Sequence, residues 1–296
     1  MAKIAVEEIA AGGTLTARPL AQGDGWAVSD MLCNAGPHTR PFEEQHFCPT
    51  VAIVVGGTFQ YRSQNSREFM TPGSILLGSA GQSFECGHEH ATGDRCISFA
   101  YTPEFFERLT LDAGGCGSGF RTLRLPPIRP LSPLIARASA GLAGSSDAPW
   151  EEISIQLAAA ALQLDRGLPP GSAHAQPGAM TRVTRIVRMI ECHPEGSYLL
   201  ANLAQEARLS PYHFLRMFQS LTGVTPHQYL LRVRLRQAAI RLMNEATKIL
   251  DIALDCGFGD ISNFNRTFRA EFGVSPRSYR NQTRGTLRPL PPVAAL

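Results

Sequence analysis

The clearest pattern of apolar and polar positions lies near the C-terminal end of the chain, where it occurs twice. Residues 199–226 and 249–276 each carry a short apolar stripe, a turn and a longer apolar stripe. In the longer stripes apolar residues recur at i, i+4 and i+7 or i+8, which is one face of an α-helix. From the turn onward, between residues 210 and 226, six positions are identical to those fifty residues later, namely Phe214/Phe264, Arg216/Arg266, Phe218/Phe268, Gly223/Gly273, Val224/Val274 and Pro226/Pro276. The pattern therefore predicts two copies of a helix–turn–helix unit.

Capping residues indicate where the second helix of the first unit begins and ends. Ser210 and Pro211 supply a capping hydroxyl and a proline for the first helical position, and Gly223 suits the left-handed residue that ends a helix. Before the turn the two copies align with an offset that is one residue smaller, so the second turn is one residue longer. Residues 226–244 are predicted to form one long helix that holds the two units at a fixed distance; its basic residues are Arg232, Arg234, Arg236 and Arg241.

The face opposite each longer stripe carries polar and basic side chains. Two short helices that bury against each other and expose such a face suit insertion into the major groove of double-stranded DNA. The outward residues of the first unit are Tyr212, His213, Arg216 and Gln219, and those of the second are Ile261, Ser262, Asn265, Arg266 and Arg269. A plain structural hairpin is the alternative interpretation, but two copies with an excess of positive charge favour nucleic-acid binding.

The doubled unit and the stretch IALDCGFGDISNFNRTFRAEFGVSPRSYR resemble the DNA-binding domain of AraC/XylS-type transcriptional regulators, over residues 180–281. The resemblance implies that the second helix of each unit enters successive segments of the major groove. It also implies base-facing positions at Tyr212, Leu215, Arg216, Ile261, Ser262, Asn265 and Arg266. Leu215 and Ile261 stand where polar base readers are often found, and they could touch only thymine methyl groups or apolar base edges.

The distribution of charge separates the two halves of the chain. The net charge is +3, but residues 1–179 hold 12 Lys+Arg and 17 Asp+Glu (−5), whereas residues 180–296 hold 16 and 8 (+8). The basic half is the half that contains the repeat. No N-terminal basic segment followed by an apolar run is present, and no stretch of 18 apolar residues occurs, so a cytoplasmic protein without a membrane partner is expected.

Short β-type runs broken by glycine occupy residues 20–102. The run 51–55 is followed by Gly56, Gly57 and a second run at 58–61, which predicts a hairpin. Many short strands at this spacing favour a small antiparallel barrel or sandwich. The VVGG turn and the MTPGSILL stretch resemble the cupin-like effector-binding half of many AraC-type regulators. The predicted fold class is thus α+β with two domains, a cupin-like β-barrel with accessory helices and an all-α domain of two helix–turn–helix units joined by a long helix.

The predicted domain boundaries follow changes in composition. A cupin-like regulatory domain is expected over residues 1–125, a helical segment over 126–167, a linker rich in Pro, Gly, Ala and Ser over 168–179, and a flexible tail over 282–296, after the DNA-binding domain. In the helical segment, residues 150–164 carry an apolar stripe that includes Leu157. That stripe suits either the core of the chain or a contact with a second copy in a homodimer.

One cluster in the N-terminal half has the residue types of a metal site. Cys86, His88 and His90 alternate along the chain, so on a strand their side chains would share one face. Thiolate and imidazole groups suit zinc or a similar divalent metal. Further candidates nearby are His38, Glu43, Glu44, His46, Cys48 and Cys96. Buried structural cysteines and solvated histidines are the alternative, and the seven scattered cysteines fit reduced thiols better than disulfides.

Three classes of function are consistent with these patterns. The first is a DNA-binding transcriptional regulator that senses a small-molecule effector, with RNA polymerase as a further candidate partner. The second joins the same DNA-binding half to a metal or thiol sensor at Cys86, His88 and His90. The third, a cupin-type metalloenzyme, would leave the basic repeat without a role, so a non-enzymatic protein is expected.

Overall fold

The structure is a computed structural model that describes residues 15–37, 39, 43–64, 66–88, 93–114, 119–143, 148–167 and 178–284. Within these ranges the N-terminal half contains strands with three helices, and the C-terminal half contains helices alone. Most of the predicted linker, the tail beyond residue 284, His38 and His90 lie outside the described residues. No helix in the described part of the chain is both long and apolar enough to cross a membrane.

The N-terminal strands form two sheets. The strands are β1 (Leu15–Gly23), β2 (Trp26–Cys33), β3 (Glu43–Gln45), β4 (Thr50–Gly57), β5 (Phe59–Ser63), β6 (Ser66–Met70), β7 (Ile75–Gly78), β8 (Ser83–Gly87), β9 (Asp94–Tyr101) and β10 (Arg124–Leu125). The larger sheet has the order β1-β2-β9-β4-β7-β10 and the smaller sheet the order β3-β8-β5-β6. An apolar cluster that includes Val54 and Cys96 of the larger sheet and Tyr61 and Met70 of the smaller one fills the space between them. The described strands thus form two open sheets packed face to face.

The predicted hairpin across Gly56 and Gly57 is wrong. Strand β4 pairs with β7 and β9, whereas β5 pairs with β6 and β8, so the two neighbouring runs lie in different sheets. Gly57 has a φ of 76°, and a Cβ atom there would lie 2.3 Å from the carbonyl oxygen of Gly93. The glycine therefore turns the chain from one sheet to the other through a gap that a side chain would fill.

Three helices cover the outer face of the larger sheet. They are α1 (Pro103–Asp112), α2 (Ser132–Leu142) and α3 (Trp150–Gly167), and a 3₁₀ turn at Arg129–Leu131 precedes α2. The apolar stripe of α3 packs into this sheet, where Ile153, Leu157 and Ala161 are completely buried together with Ile53 and Phe99. The predicted stripe is therefore part of the core of its own chain. The burial of this stripe does not test whether the protein forms a homodimer, so the homodimer stays a prediction.

The described residues of the C-terminal half, 178–284, form seven helices. They are α4 (Ala179–Cys192), α5 (Leu200–Glu206), α6 (Pro211–Thr222), α7 (Pro226–Asn244), α8 (Ile249–Asp255), α9 (Ile261–Phe272) and α10 (Pro276–Arg284). Helices α5 and α6 form the first helix–turn–helix unit, and α8 and α9 form the second. The long connecting helix α7 contributes to the apolar core of both units, with Val233 in the first and Leu235 in the second.

The turns of the two units have the same hydrogen bonds but different residues at the left-handed position. Leu209 donates its N–H to the carbonyl of Ala204, and Phe258 donates to Ala253 in the same way. The preceding residue is Arg208 with a φ of 54° in the first unit, and Gly257 with a φ of 86° in the second. A left-handed conformation is strained for any residue with a Cβ atom, so the first unit carries a strain that the second avoids.

We expect Arg208→Gly to raise the free energy of unfolding by up to about 1 kcal/mol, because it relieves this strain. The reciprocal change, Gly257→Ala, should lower it by about 1–2 kcal/mol or more, since the new Cβ would also lie 2.7 Å from the Cα of Glu195. Urea denaturation followed by circular dichroism measures both. Equal stability of the Gly257→Ala variant and the wild type would contradict the left-handed assignment.

The two halves pack against each other at several points. Glu68 of β6 forms an ion pair of 2.9 Å with Arg124 of β10, and the same guanidinium donates to the carbonyl oxygen of Leu221 near the end of α6. Helix α2 packs against α7, where Ala136 is completely buried in the core of the second unit. Each helix–turn–helix unit is thus fixed to a different element of the N-terminal half.

Candidate nucleic-acid interface

The helices α6 and α9 are built by equivalent capping contacts. The Ser210 hydroxyl accepts from the N–H of His213, and the Asp260 carboxylate accepts from the N–H of Asn263 at 2.7 Å. Gly223 and Gly273 end the two helices in left-handed conformations. In each helix the phenylalanine stripe is buried, so the predicted opposite face is turned away from the core.

On α6 the outward face carries an aromatic and a basic side chain in contact. Tyr212, His213 and Arg216 are exposed, and Leu215 is half-buried. The Arg216 guanidinium donates to the Tyr212 hydroxyl at 3.1 Å and lies 5.9 Å from the centre of its ring. This hydrogen bond raises the pKa of Arg216 above its ordinary, already high value. The remaining guanidinium donors face solvent and can reach a phosphate or a base edge.

On α9 the outward face is more polar. Ser262, Asn265, Arg266 and Arg269 are exposed, and Arg266 donates to the side-chain oxygen of Asn263 at 3.1 Å. Ile261 is half-buried and packs against the core of the second unit, which limits what it can offer to a base edge. A surface groove runs along this face; its lining includes Asn265, Arg266, Arg269 and Arg277. The second unit therefore presents several cations beside one shallow groove.

The arginines of α7 have structural partners. Arg232 pairs with Glu271, Arg236 with Glu191, and Arg241 with Glu245 and Asp255. Arg234 donates to the carbonyl oxygens of Pro194 and Gly196 at 2.6 Å and 2.8 Å. By contrast, none of the ion pairs between described residues involves Arg216, Arg266 or Arg269. The outward faces of α6 and α9 thus carry arginines without an ion-pair partner among the described residues, whereas Arg232, Arg236 and Arg241 of the connecting helix are matched by carboxylates.

A buried tyrosine packs against the apolar face of each of these helices, α6 and α9. The ring of Tyr229 at the start of α7 lies 5.8 Å from that of Phe218, and the ring of Tyr279 in α10 lies 5.4 Å from that of Phe268. Both tyrosines are buried and stand fifty residues apart. They are a further identity of the repeat, which the prediction from the sequence missed although the constant offset of fifty residues reveals it. Edge-to-face packing of this kind fixes the orientation of α6 and α9.

Comparison with known proteins agrees with this geometry. Residues 203–282 match the family described as "Helix-turn-helix domain". The chain is 34% identical over 115 residues to the HTH-type transcriptional regulator ArgR of Pseudomonas aeruginosa, which is 39% of this chain and 33% of that protein. It is 36% identical over 99 residues to the HTH-type transcriptional activator RhaS of Klebsiella pneumoniae, which is 33% of this chain and 36% of that protein. These matches span about a third of the length of each relative.

Among solved structures, a transcriptional regulator of Chromobacterium violaceum with an AraC-type DNA-binding domain is 28% identical. It covers 38% of this chain and 99% of its own, with a TM-score of 0.34. The family match and the sequence relatives establish the class of the C-terminal half, which is an AraC-type helix–turn–helix domain. The recognition of this domain from its repeated motif is therefore confirmed.

The predicted cysteine–histidine cluster of the N-terminal half is only partly assembled. Cys86 lies on β8, but the strand ends at Gly87, so strand alternation does not extend to His88. The imidazole of His88 instead contacts the Asp94 carboxylate at 2.5 Å, and the Cys33 thiol lies close to both. Cys33 and Asp94 were missed because their proximity comes from the pairing of β2 with β9, for which the sequence carries no local signal.

Burial and charge set the protonation of this cluster. Burial lowers the pKa of His88, but the hydrogen bonds to Asp94 and Cys33 and their charges outweigh it, so that the pKa rises to about 9. Burial raises the pKa of the Cys86 and Cys96 thiols well above the usual range, which keeps both neutral.

His46, another of the candidates, belongs to a different environment. Its ring nitrogen lies 2.7 Å from the Tyr61 hydroxyl, and its ring stacks on Phe84 at 4.2 Å. Burial lowers the pKa of His46 to about 4. It is therefore a neutral residue of the interior between the two sheets.

Proposed function

We propose that this chain is a sequence-specific, double-stranded-DNA-binding transcriptional regulator of the AraC/XylS type. The observation that carries the proposal is the pair of equivalent arginines, Arg216 on α6 and Arg266 on α9, both exposed and both outside the internal ion pairs. A guanidinium that bonds the O6 and N7 atoms of guanine is the commonest specific contact to a base. Because α7 is continuous, the two contacts would fall in separate parts of one binding site.

We expect Arg216→Ala and Arg266→Ala each to weaken binding to a selected DNA site by about 1–3 kcal/mol, or roughly 5- to 150-fold. The site would be obtained by selection from a random duplex library with the full-length protein, and footprinting would show where protection is lost. The two variants should lose protection in different halves of the site. Arg108→Ala, which removes an exposed arginine of α1, is the matched control and should bind like the wild type.

Two results would overturn the proposal. One is that selection enriches no sequence above the starting library. The other is that both variants protect the whole site with wild-type affinity, which would mean that α6 and α9 do not read the groove.

The N-terminal half is the part that we assign to sensing a small molecule, in the manner of a cupin-like effector domain. The interior between its two sheets is mainly apolar, with Tyr61 and His46 as polar groups that could orient a ligand. An effector that enters between the sheets would meet mainly apolar side chains, which favours a mainly apolar effector. A cavity of about 10 Å³ between Phe69 and Met180 has room for only about one water molecule, so it is not the effector site.

The contact of Arg124 with the carbonyl of Leu221 offers a route from this interior to α6. An effector that favours one arrangement of this contact shifts the population by its differential affinity. Mass spectrometry of the purified protein would identify a retained effector. The assignment further predicts a cytoplasmic homodimer that contacts RNA polymerase and has no enzymatic activity.

A further inference from the structure

Three metal-ligating side chains of different types meet at one end of the N-terminal sheets. Cys33 is the last residue of β2 and Asp94 the first of β9, and their Cα atoms are directly paired across the two strands. Side chains of a directly paired couple leave the sheet on the same face. His88 follows β8 of the smaller sheet and reaches this face from the opposite side. A sulfur of Cys33, a ring nitrogen of His88 and a carboxylate oxygen of Asp94 all lie within 4.8 Å of one another.

These distances are close to those around a single ion. Zinc binds thiolate sulfur at about 2.3 Å and imidazole nitrogen or carboxylate oxygen at about 2.0–2.2 Å, so two of its ligand atoms lie roughly 3–4 Å apart. The 2.5 Å contact between His88 and Asp94 would open slightly, and the Cys33 sulfur, which lies within 4.8 Å of both, would move inward by up to about 1–2 Å. We expect rotation of the side chains to make both movements, which would leave the backbone pairing of β2 with β9 in place.

The surroundings of the cluster are those of a metal site. The His88 side chain is 2% exposed and that of Asp94 is 9% exposed, so the groups are shielded from water. The Cys96 thiol donates to Oδ1 of Asp94 at 3.5 Å, on the carboxylate oxygen that does not face His88. The ring of Phe59 stacks on the imidazole with 5.8 Å between centres. Outer contacts of this kind orient metal ligands.

We propose that Cys33, His88 and Asp94 bind one divalent metal ion with zinc-like preferences. Three protein ligands leave a fourth tetrahedral position for water or for an exchangeable small ligand, as in zinc sites that are not purely structural. This set shares only His88 with the set predicted from the sequence. Cys86 lies instead against the apolar cluster between the sheets. The site does not involve α6 or α9, so the outcome of the metal-binding test does not depend on whether the protein binds DNA.

The test uses the full-length protein after treatment with a chelator and reductant. Zn²⁺ is titrated in competition with a chromophoric chelator, and we expect one equivalent to bind more tightly than the remainder. Co²⁺ is titrated in parallel, because a bound thiolate gives an intense sulfur-to-cobalt charge-transfer absorption. The cobalt spectrum reports ligation by a thiol in the unaltered protein, so this part of the test needs no variant. Absence of both a tight equivalent and the charge-transfer band would overturn the proposal.

Variants then identify the ligands. Cys33→Ser should abolish the charge-transfer band, and Cys33→Ser and His88→Gln should each weaken Zn²⁺ binding at least about 100-fold, beyond the loss typical of an outer contact. Cys86→Ser tests whether a ligand of the set predicted from the sequence takes part. Cys192→Ser, which removes an exposed thiol of the C-terminal half, controls for adventitious binding. Both should keep the tight equivalent. If Cys86→Ser or Cys192→Ser removed the band while Cys33→Ser retained it, the assignment would be wrong.

Discussion

Replacing Arg124 with alanine is expected to lower the free energy of unfolding by about 3–5 kcal/mol, because it breaks a buried ion pair. Arg124 and its partner Glu68 are each less than a tenth exposed, and the guanidinium also donates to the carbonyl oxygens of Phe69 and Leu221. The variant would leave a carboxylate and two carbonyls in the interior without their donor. Urea denaturation of the full-length protein measures the change.

Two comparisons test this reason. Arg185→Ala breaks an ion pair whose partners are about half exposed, so it should lower stability by less than about 1 kcal/mol. The double variant Glu68→Gln/Arg124→Met removes both charges and should be more stable than Arg124→Ala alone, because no charge is left unpaired. Equal loss in the Arg124 and Arg185 variants would show that burial of the pair is unimportant.

Leu157→Glu is expected to lower the free energy of unfolding by more than about 4 kcal/mol. Leu157 is completely buried between α3 and the larger sheet, so the substitution would place an unpaired carboxylate among apolar side chains and remove a packed one. Ile155→Glu is the matched control, since Ile155 lies two residues away on the exposed side of the same helix. It should change the stability by no more than about 0.5 kcal/mol.

The same two variants separate folding from association. Sedimentation of Ile155→Glu reports whether the outer face of α3 takes part in a dimer. The buried stripe cannot do so while it is packed against its own sheet. Should Leu157→Glu prove as stable as the wild type, the packing of α3 described above would be incorrect.

The C-terminal half could be predicted from the sequence because its information is local and duplicated. The apolar spacing of Phe214 and Phe218, the capping residue Ser210 and the terminal Gly223 all lie within a few turns of one helix, and each has a counterpart fifty residues later. Helical structure depends on such short spacings. Even the longer second turn is seen in the structure, since α8 follows α5 by 49 residues and α9 follows α6 by 50.

The N-terminal half was harder to predict because its contacts are made between distant strands. The runs on either side of Gly57 were correctly placed as strands, but nothing local distinguishes a hairpin from a turn that leads into a second sheet. For the same reason the pairing of Cys33 with Asp94, which are 61 positions apart in the sequence, could not be predicted. The spacing of Cys86 and His88 suggested a shared face only on the assumption that the strand continued past Gly87.

The sequence likewise showed the number of charged residues but not their positions in the fold. The excess of positive charge in the C-terminal half indicated a nucleic-acid partner, but it gave equal weight to every arginine. In the structure Arg232, Arg236 and Arg241 are matched by carboxylates, and Glu271, the partner of Arg232, comes from α9. Only the folded arrangement shows which cations are left to face a ligand.

The separate anchoring of the two helix–turn–helix units limits how this protein can be recombined with its relatives. Phe69 of β6 belongs to the core of the first unit, and Ala136 of α2 belongs to that of the second. A hybrid joined between residues 167 and 178 would place a foreign DNA-binding half on surfaces shaped for this one. Such a hybrid would need matching residues on β6 and α2 before its two halves could pack as they do here, so the C-terminal half cannot be exchanged as an independent part.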